Sequence, residues 1–468
     1  MENMAVERKD ETPSEGTETS LANAVSKEPF SLFEEYMIMD DTPQYPMNPI
    51  LQLRLKGVID RAAARSALND VIERQPLLKC CVEKRGFRYY WVPTHKRPAV
   101  TYVDFDADPS ILNESGFPRL SPIDLFSEPG CRIFHIVSRR EDWTLLVVQV
   151  HHATADGVGV AQILNEWSIR YSLAVGAAPP GLEVPHVDEE SFQERRKIGW
   201  TVRAYFKNFF HTMRSTSQLA FGRPRPLIPV GPFKDVKPAV DYPHMRTLKL
   251  TRSETDQCIR RAKELGVTVN DSLLATFFLT LDKWLTDVRR DNKSGSLRVM
   301  APINMRTDRH RFAPLSNVVS TVFLDRSRRF LAKGAEKTLE SVVSEMRWIK
   351  KNEQRYDFLL VLRTLHRIPG SLPFFLHLPT CRATGVFSNL GRYLDKSPLK
   401  RDEEGRIMLG DARIDRIESV PPIRYKTNLA IAALTYAGEL DLGVSYDPRL
   451  MTGDEAQEFL KIFRSLIF

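Results

Sequence analysis

The run Trp143-Thr144-Leu145-Leu146-Val147-Val148-Gln149-Val150 constrains the fold of this chain more than any other stretch. A near-continuous apolar and β-branched segment of this length is how a strand reads when both of its faces are covered. A chain built around it must place helices or further sheet on either side, which is an α/β layer arrangement. The run ends in His151-His152-Ala153-Thr154-Ala155-Asp156-Gly157. Rigid backbone at the mouth of a buried strand can aim a side chain. Histidine has an unperturbed pKa near neutrality, which suits taking and returning one proton per turnover. Asp156 follows four residues after His152, and the conformational freedom of Gly157 is expected to let the chain turn sharply behind the site. Two adjacent histidines alone are more often satisfied polar residues at a strand end. The added aspartate and glycine make this stretch the first candidate for chemistry.

The flanking sequence supports the layering. Cys131–Val137 is expected to pair with Thr144–Val150 as a hairpin across Arg139-Arg140-Glu141-Asp142. Leu51–Lys56 alternates with period two, a half-buried strand ending at Gly57. Asp60 can cap a helix whose apolar residues Ala64, Leu68, Val71 and Ile72 share a face, and Pro76 stops it. A helix from about Val158 to Ala174 should follow the histidine loop. In the second half, Ser253 reads as a helix cap, and Val269-Asn270-Asp271 opens a helix to about Val288. Strands are expected at Leu297–Ile303, Val318–Leu324, Thr384–Phe387, Asn428–Thr435 and Leu440–Tyr446, with a closing helix over Gly453–Leu466. The composition divides the chain into a disordered tail at 1–27, a first domain at 28–178, a helix and Pro-rich crossover at 179–245, and a second domain at 246–468. The crossover contains Pro224, Pro226, Pro229, Pro232, Pro238 and Pro243.

With 42% hydrophobic and 27% charged residues, the 468-residue chain has the balance of a globular protein. No apolar run approaches the roughly 18 residues needed to span a bilayer. Five cysteines without CxxC spacing argue for reduced thiols and against a zinc site, and the polar N-terminus lacks a secretory core, so a cytoplasmic location is expected. A formal charge of +8 is small for this length. No finger, RNP-like motif or dense basic block accompanies it, so nucleic acid is not an expected partner.

The full HHxxxDG pattern resembles the active-site signature of the CoA-dependent acyltransferase superfamily, which includes chloramphenicol acetyltransferase, plant BAHD enzymes, wax ester synthases and peptide-synthetase condensation domains. The resemblance runs from about Pro29 onward and is carried by a few short motifs. It implies two chloramphenicol-acetyltransferase-like domains, each a mixed sheet with flanking helices, and an active-site tunnel at their interface. It implies that His152 is the catalytic base, that His151 is less directly involved, and that Asp156 is structural, paired with a cation. In many relatives that cation is an arginine in a segment reading RHxxLR. Here Arg74-Gln75-Pro76-Leu77-Leu78-Lys79 puts glutamine at the histidine and lysine at the arginine. Lysine lacks the guanidinium fork, so Lys79, Arg306 and Arg74 all stand as partners.

Ala301-Pro302-Ile303-Asn304-Met305-Arg306 resembles the PVxxR-like segment of the second half, and Val269-Asn270-Asp271 the ND motif of wax ester synthase-like members. Gly385-Val386-Phe387-Ser388-Asn389-Leu390-Gly391 resembles the strand end that faces the histidine across the tunnel. The resemblance implies that Ser388, with Asn389 behind it, donates to the developing oxyanion. Each also reads simply as a strand-end or cap residue. The DFGWG motif of the plant branch is absent, and no carrier or adenylation region is recognisable. The leading expectation is a freestanding, monomeric acyltransferase moving an acyl group from a CoA thioester to an alcohol. Acyl-CoA would be a co-substrate, with no permanently bound cofactor and no metal. The alternatives are a condensation-type enzyme using an acyl carrier protein's phosphopantetheine arm and an amine or hydroxyl acceptor, or a degenerate binding protein.

One segment adds an expectation about location. A helix over about 189–219 mixes Arg195, Arg196, Lys197, Arg203, Lys207 and Arg214 with Trp200, Tyr205, Phe206, Phe209 and Phe210. Such a helix can lie in a membrane interface, or it can bury its aromatics on the protein as an ordinary crossover.

Overall fold

The computed structural model describes residues 27–106, 109–188, 190–198, 222–228, 242–378 and 380–468, together with Met213, Ser217, Gln218 and Lys237. The tail expectation and most of the basic aromatic helix lie outside these residues. The first half contains β1 (Glu28–Pro29), α1 (Leu32–Asp40), β2 (Ile50–Lys56), α2 (Arg61–Glu73), β3 (Cys80–Arg85), β4 (Arg88–Pro93), β5 (Ala99–Asp104), β6 (Cys131–Ser138), β7 (Trp143–Val150) and α3 (Gly157–Ala174). The second half adds β8 (Met245–Lys249), β9 (Ser296–Asn304), β10 (Val319–Ser327), β11 (Gly385–Arg392), β12 (Met408–Leu409), β13 (Ala412–Val420), β14 (Leu429–Tyr436) and β15 (Glu439–Tyr446), among helices that end with Gly453–Ile467.

The strands form two six-stranded mixed sheets, in the orders β12-β13-β2-β7-β6-β5 and β10-β9-β11-β14-β15-β8, and a small sheet β1-β4-β3. The expected hairpin is present, with β6 antiparallel to β7 from Cys131 opposite Val150 to Ser138 opposite Trp143. β7 is central, between β2 and β6, and its residues from Thr144 to Val150 are buried, as its apolar run requires. Packed against this sheet, α2 and α3 bury Leu68, Val71, Ile163, Leu164 and Trp167 with Leu53, Leu146 and Val148. The second core gathers Phe277, Phe278, Trp284, Phe459 and Phe463 against Val299, Ile431 and Val444.

Three local expectations are corrected. The cap of the helix Arg252–Glu264 is Thr251, which forms a capping box with Glu254, and Ser253 lies inside the helix. The sheet carrying β7 is completed by β13, which pairs antiparallel with β2, so residues 412–420 of the second half belong to the first sheet. Pro76 starts a 3-10 turn over Pro76–Lys79, α2 having already ended at Glu73. Among the described residues, no helix is long and apolar enough to cross a membrane.

Candidate active site

His152 lies just beyond β7, where the chain leaves the sheet. Its N–H donates to Met47 O at 2.7 Å. Its carbonyl accepts from the Asn317 side-chain amide. The loop is therefore tied to residue 47 on one side and to the second half on the other, and the imidazole is held through its own backbone. The Phe33 ring of α1 packs against it edge-on, centroids 6.3 Å apart. His152 Nδ1 is enclosed without a hydrogen-bond partner, although the carbonyls of His152 and Ala155 lie near the ring. A reacting group can therefore reach only Nε2. Burial lowers the pKa of the ring from its ordinary value, against the opposing influence of those carbonyls and of Asp156. A neutral imidazole is the form able to accept a proton.

His151 points the other way and is buried. Its Nδ1 accepts from the Ala153 N–H at 3.1 Å. The proton is then on Nε2, which sits 3.7 Å from Asp41 Oδ2. Asp41 in turn accepts from Met47 N–H at 2.7 Å. His151 thus braces the loop that holds His152.

Asp156 is also buried, and all its contacts are structural. Oδ1 caps α3 by accepting from Gly159 N–H at 2.9 Å. Oδ2 accepts from Arg306 Nη1 at 2.7 Å and from Val318 N–H at 2.9 Å. Burial alone would raise the carboxyl pKa. The charge and hydrogen bond of Arg306, with the two amides, outweigh it and hold the group below its ordinary range. Arg306 also donates to Ser316 O at 3.0 Å. Of the three cations left open by the sequence, Arg306 is the one in contact. Lys79 instead donates to the carbonyl and carboxylate of Glu73, at 2.5 and 3.3 Å, and Arg74 pairs with Glu166 at 2.7 Å. Lys79 is therefore not part of the site. The buried Gln75 accepts from Leu315 N–H at 2.6 Å, so this segment still joins the two halves, without charge.

Gly157 does not serve the conformational role expected of it, since its backbone is helical at the first position of α3. Space is the reason for a glycine here. A Cβ would fall 2.6 Å from Leu390 Cδ2. Leu390 is the extra residue at a register shift of β11, between Asn389 opposite Ala433 and Gly391 opposite Leu434. Tyr393 OH also donates to Gly157 O at 3.0 Å. Gly157→Ala should cost about 1–3 kcal/mol through overpacking, read as a lowered melting midpoint. An unchanged midpoint would mean that the contact with Leu390 is loose.

His152, Gly157 and Ser388 line one small cavity of about 60 Å³, with Ser419 of β13 and Leu390. Among the described residues, no hydrogen bond occupies the Ser388 hydroxyl. Asn389, its neighbour in the strand, points to the opposite side, as alternation requires. It is exposed, and its amide donates to Asn270 Oδ1 at 3.2 Å while its own oxygen accepts from Gly391 N–H. Asn389 and Asn270 thus form a pair outside the cavity, and neither faces His152. Sequence reading missed Phe33, Asn317, Tyr393 and Ser419, which touch the site from distant segments and belong to no local motif.

Comparison with known proteins adds the family. The Condensation domain family model matches residues 37–289. A probable non-canonical nonribosomal peptide synthetase, CymA, of Salinispora arenicola (strain CNS-205) is 28% identical over 158 residues, covering 32% of this chain and 2% of that protein. The chain spans less than a tenth of each curated relative it matches. Among solved structures, the first condensation domain of the calcium-dependent antibiotic synthetase, with a substrate analogue, superposes with a TM-score of 0.65 at 15% identity, over 95% of this chain and 96% of the other. The starter condensation domain of rhizomide synthetase, a double mutant with C8-CoA and Leu-SNAC, gives 0.63 at 12% identity, over 97% and 96%. The fold is that of these domains, two chloramphenicol-acetyltransferase-like lobes of the CoA-dependent acyltransferase superfamily. With the family model matched over more than half of its residues, the chain belongs to the condensation-domain family of acyl-transferring enzymes.

Proposed function

We propose that this protein moves an acyl group from a CoA thioester to an alcohol, forming an ester by direct attack. His152 Nε2 takes the proton from the acceptor hydroxyl as its oxygen adds to the thioester carbonyl. The tetrahedral oxyanion accepts a hydrogen bond from Ser388. Collapse breaks the carbon–sulfur bond, and the protonated His152 returns the proton to the departing thiolate. No covalent enzyme intermediate is needed, because holding both substrates against one base supplies the advantage. Asp156 and Arg306 position the loop and take no part in proton transfer. The observation that supports this reading is the shared cavity, which brings His152 of the first half beside the hydroxyl of Ser388 of the second.

A second reading, a carrier-bound acyl donor with an amine or hydroxyl acceptor, is favoured by the peptide synthetases among the relatives. Both donors end in the same thioester arm. The test is a mass-spectrometric screen of acyl-CoAs and acyl-carrier proteins against pooled alcohols and amines. Ester formed from acyl-CoA is the expected product. Amide formed only from the carrier-bound donor would replace the first reading with the second.

A further inference from the structure

A second cavity, of about 470 Å³, lies on the far side of Phe33 from His152. Its apolar wall is made by Phe33, Leu359 and Leu360. The rest of its lining is strongly cationic. Arg88 at the start of β4, Arg196, and Arg363 and Arg367 at the end of the helix Asp357–His366 all border it. All four are exposed, and among the described residues none has a carboxylate within ion-pair distance.

No lining residue is acidic. The carboxylates that follow Phe33 in α1 are engaged elsewhere. Glu34 is buried, takes Arg195 at 3.1 Å and accepts from the Trp91 indole at 3.2 Å. Glu35 contacts His366 Nδ1 at 2.6 Å, and burial pushes its pKa up to about 7 against the pull of the Arg88 charge. Arg195 is thus a paired, fully buried residue, stacked on Phe192 at 3.8 Å, and has no surface to offer a membrane. The four remaining arginines repel one another around one concavity. A ligand with several negative charges relieves that repulsion, and the guanidinium fork matches phosphate oxygens two at a time.

We propose that this cavity binds the phosphorylated end of a free CoA thioester, with its phosphates on Arg88, Arg196, Arg363 and Arg367 and its arm directed past Phe33 toward His152. The proposal rests on the acyl-transfer reading and deepens it by naming the donor. A carrier-protein arm presents one phosphodiester charge, whereas CoA presents a diphosphate and a ribose phosphate, which suits four unpaired arginines better. The apolar wall suits the arm. The single aromatic ring of Phe33, packed against His152 itself, separates the cavity from the base.

Calorimetric titration of the full chain with CoA, 4′-phosphopantetheine and pantetheine tests this, at low and at physiological salt. CoA should bind most tightly and pantetheine least, with the CoA advantage reduced by salt. The double variant Arg363→Ala/Arg367→Ala should bind CoA about tenfold or more weakly, with pantetheine unaffected and the melting midpoint retained. His152→Ala should bind CoA as the unmodified protein does, since that residue acts on the acyl group. Absence of CoA binding, equal affinity for CoA and phosphopantetheine, or unchanged CoA affinity in the double variant would each overturn the proposal. Those outcomes would leave the acyl-transfer reading standing on turnover, which fails separately if His152→Ala remains fully active.

Discussion

His152→Ala should lower turnover by at least about a hundredfold, the lower end for loss of a general base, while the protein stays folded. Fold retention is expected because the loop is held through the backbone, by the bonds to Met47 and from Asn317, and the ring itself packs only edge-on against Phe33. The pH profile supplies an independent check. Burial lowers the His152 pKa from its ordinary 6.5. The basic form therefore persists below that value, and the acid limb of kcat/KM should fall at a pH below 6.5. Residual activity in the alanine variant should lack this limb. Near-wild-type turnover in a folded variant, or an acid limb above pH 6.5 in the unmodified enzyme, would remove His152 from the role of base. Ser388→Ala should be milder, because backbone and solvent can partly replace one donor.

The parts of this site that were legible in the sequence are those in which chemistry and local periodicity coincide. β7 is apolar on both faces, its hairpin partner is eight residues of similar character, and His152 follows directly. Asp156 as a helix cap is equally local, since its carboxylate reaches Gly159 only three residues on. What could not be read depends on contacts across the chain. β13 joins the first sheet although it lies among second-half strands. Its period-two signal is interrupted by the register shift between Ile414 and Arg416, which leaves its buried Ile414 and Ile417 an odd number of residues apart. The cation for Asp156 was left open for a similar reason. Arg74, Lys79 and Arg306 carry the same charge, and only the three-dimensional course of β9 and β10 brings Arg306 and Val318 to one carboxylate oxygen. Ser388 and Asn389 were separable only by the direction of the strand, which puts one toward His152 and the other toward Asn270.

Asp156→Asn should lower stability by roughly 3–5 kcal/mol, the range for removing one partner of a buried ion pair. Both side chains are largely enclosed, with 6% of Asp156 and 11% of Arg306 exposed. Neutralising the carboxylate leaves Arg306 without its counter-charge, although the amide oxygen can still accept from Gly159 and the α3 cap survives in part. Arg306→Ala should be comparably damaging, for it strands a buried carboxylate that retains only its two backbone amides. The double variant should be less destabilised than the sum of the singles, because the two residues share one interaction. The pH dependence follows from the depressed carboxyl pKa. Its contribution to stability is present above the unfolded value of about 3.9 and is lost as pH falls through the lower folded value. The gap in melting midpoint between the unmodified protein and Asp156→Asn should therefore be wide at neutrality and narrow progressively in strong acid. Activity should fall with stability, since Asp156 bonds to α3, Arg306 and the Val318 amide, and the loop it anchors carries His152. A variant with unchanged melting behaviour but no turnover would place Asp156 among the reacting groups instead, and the direct His152 mechanism would need a second titrating partner.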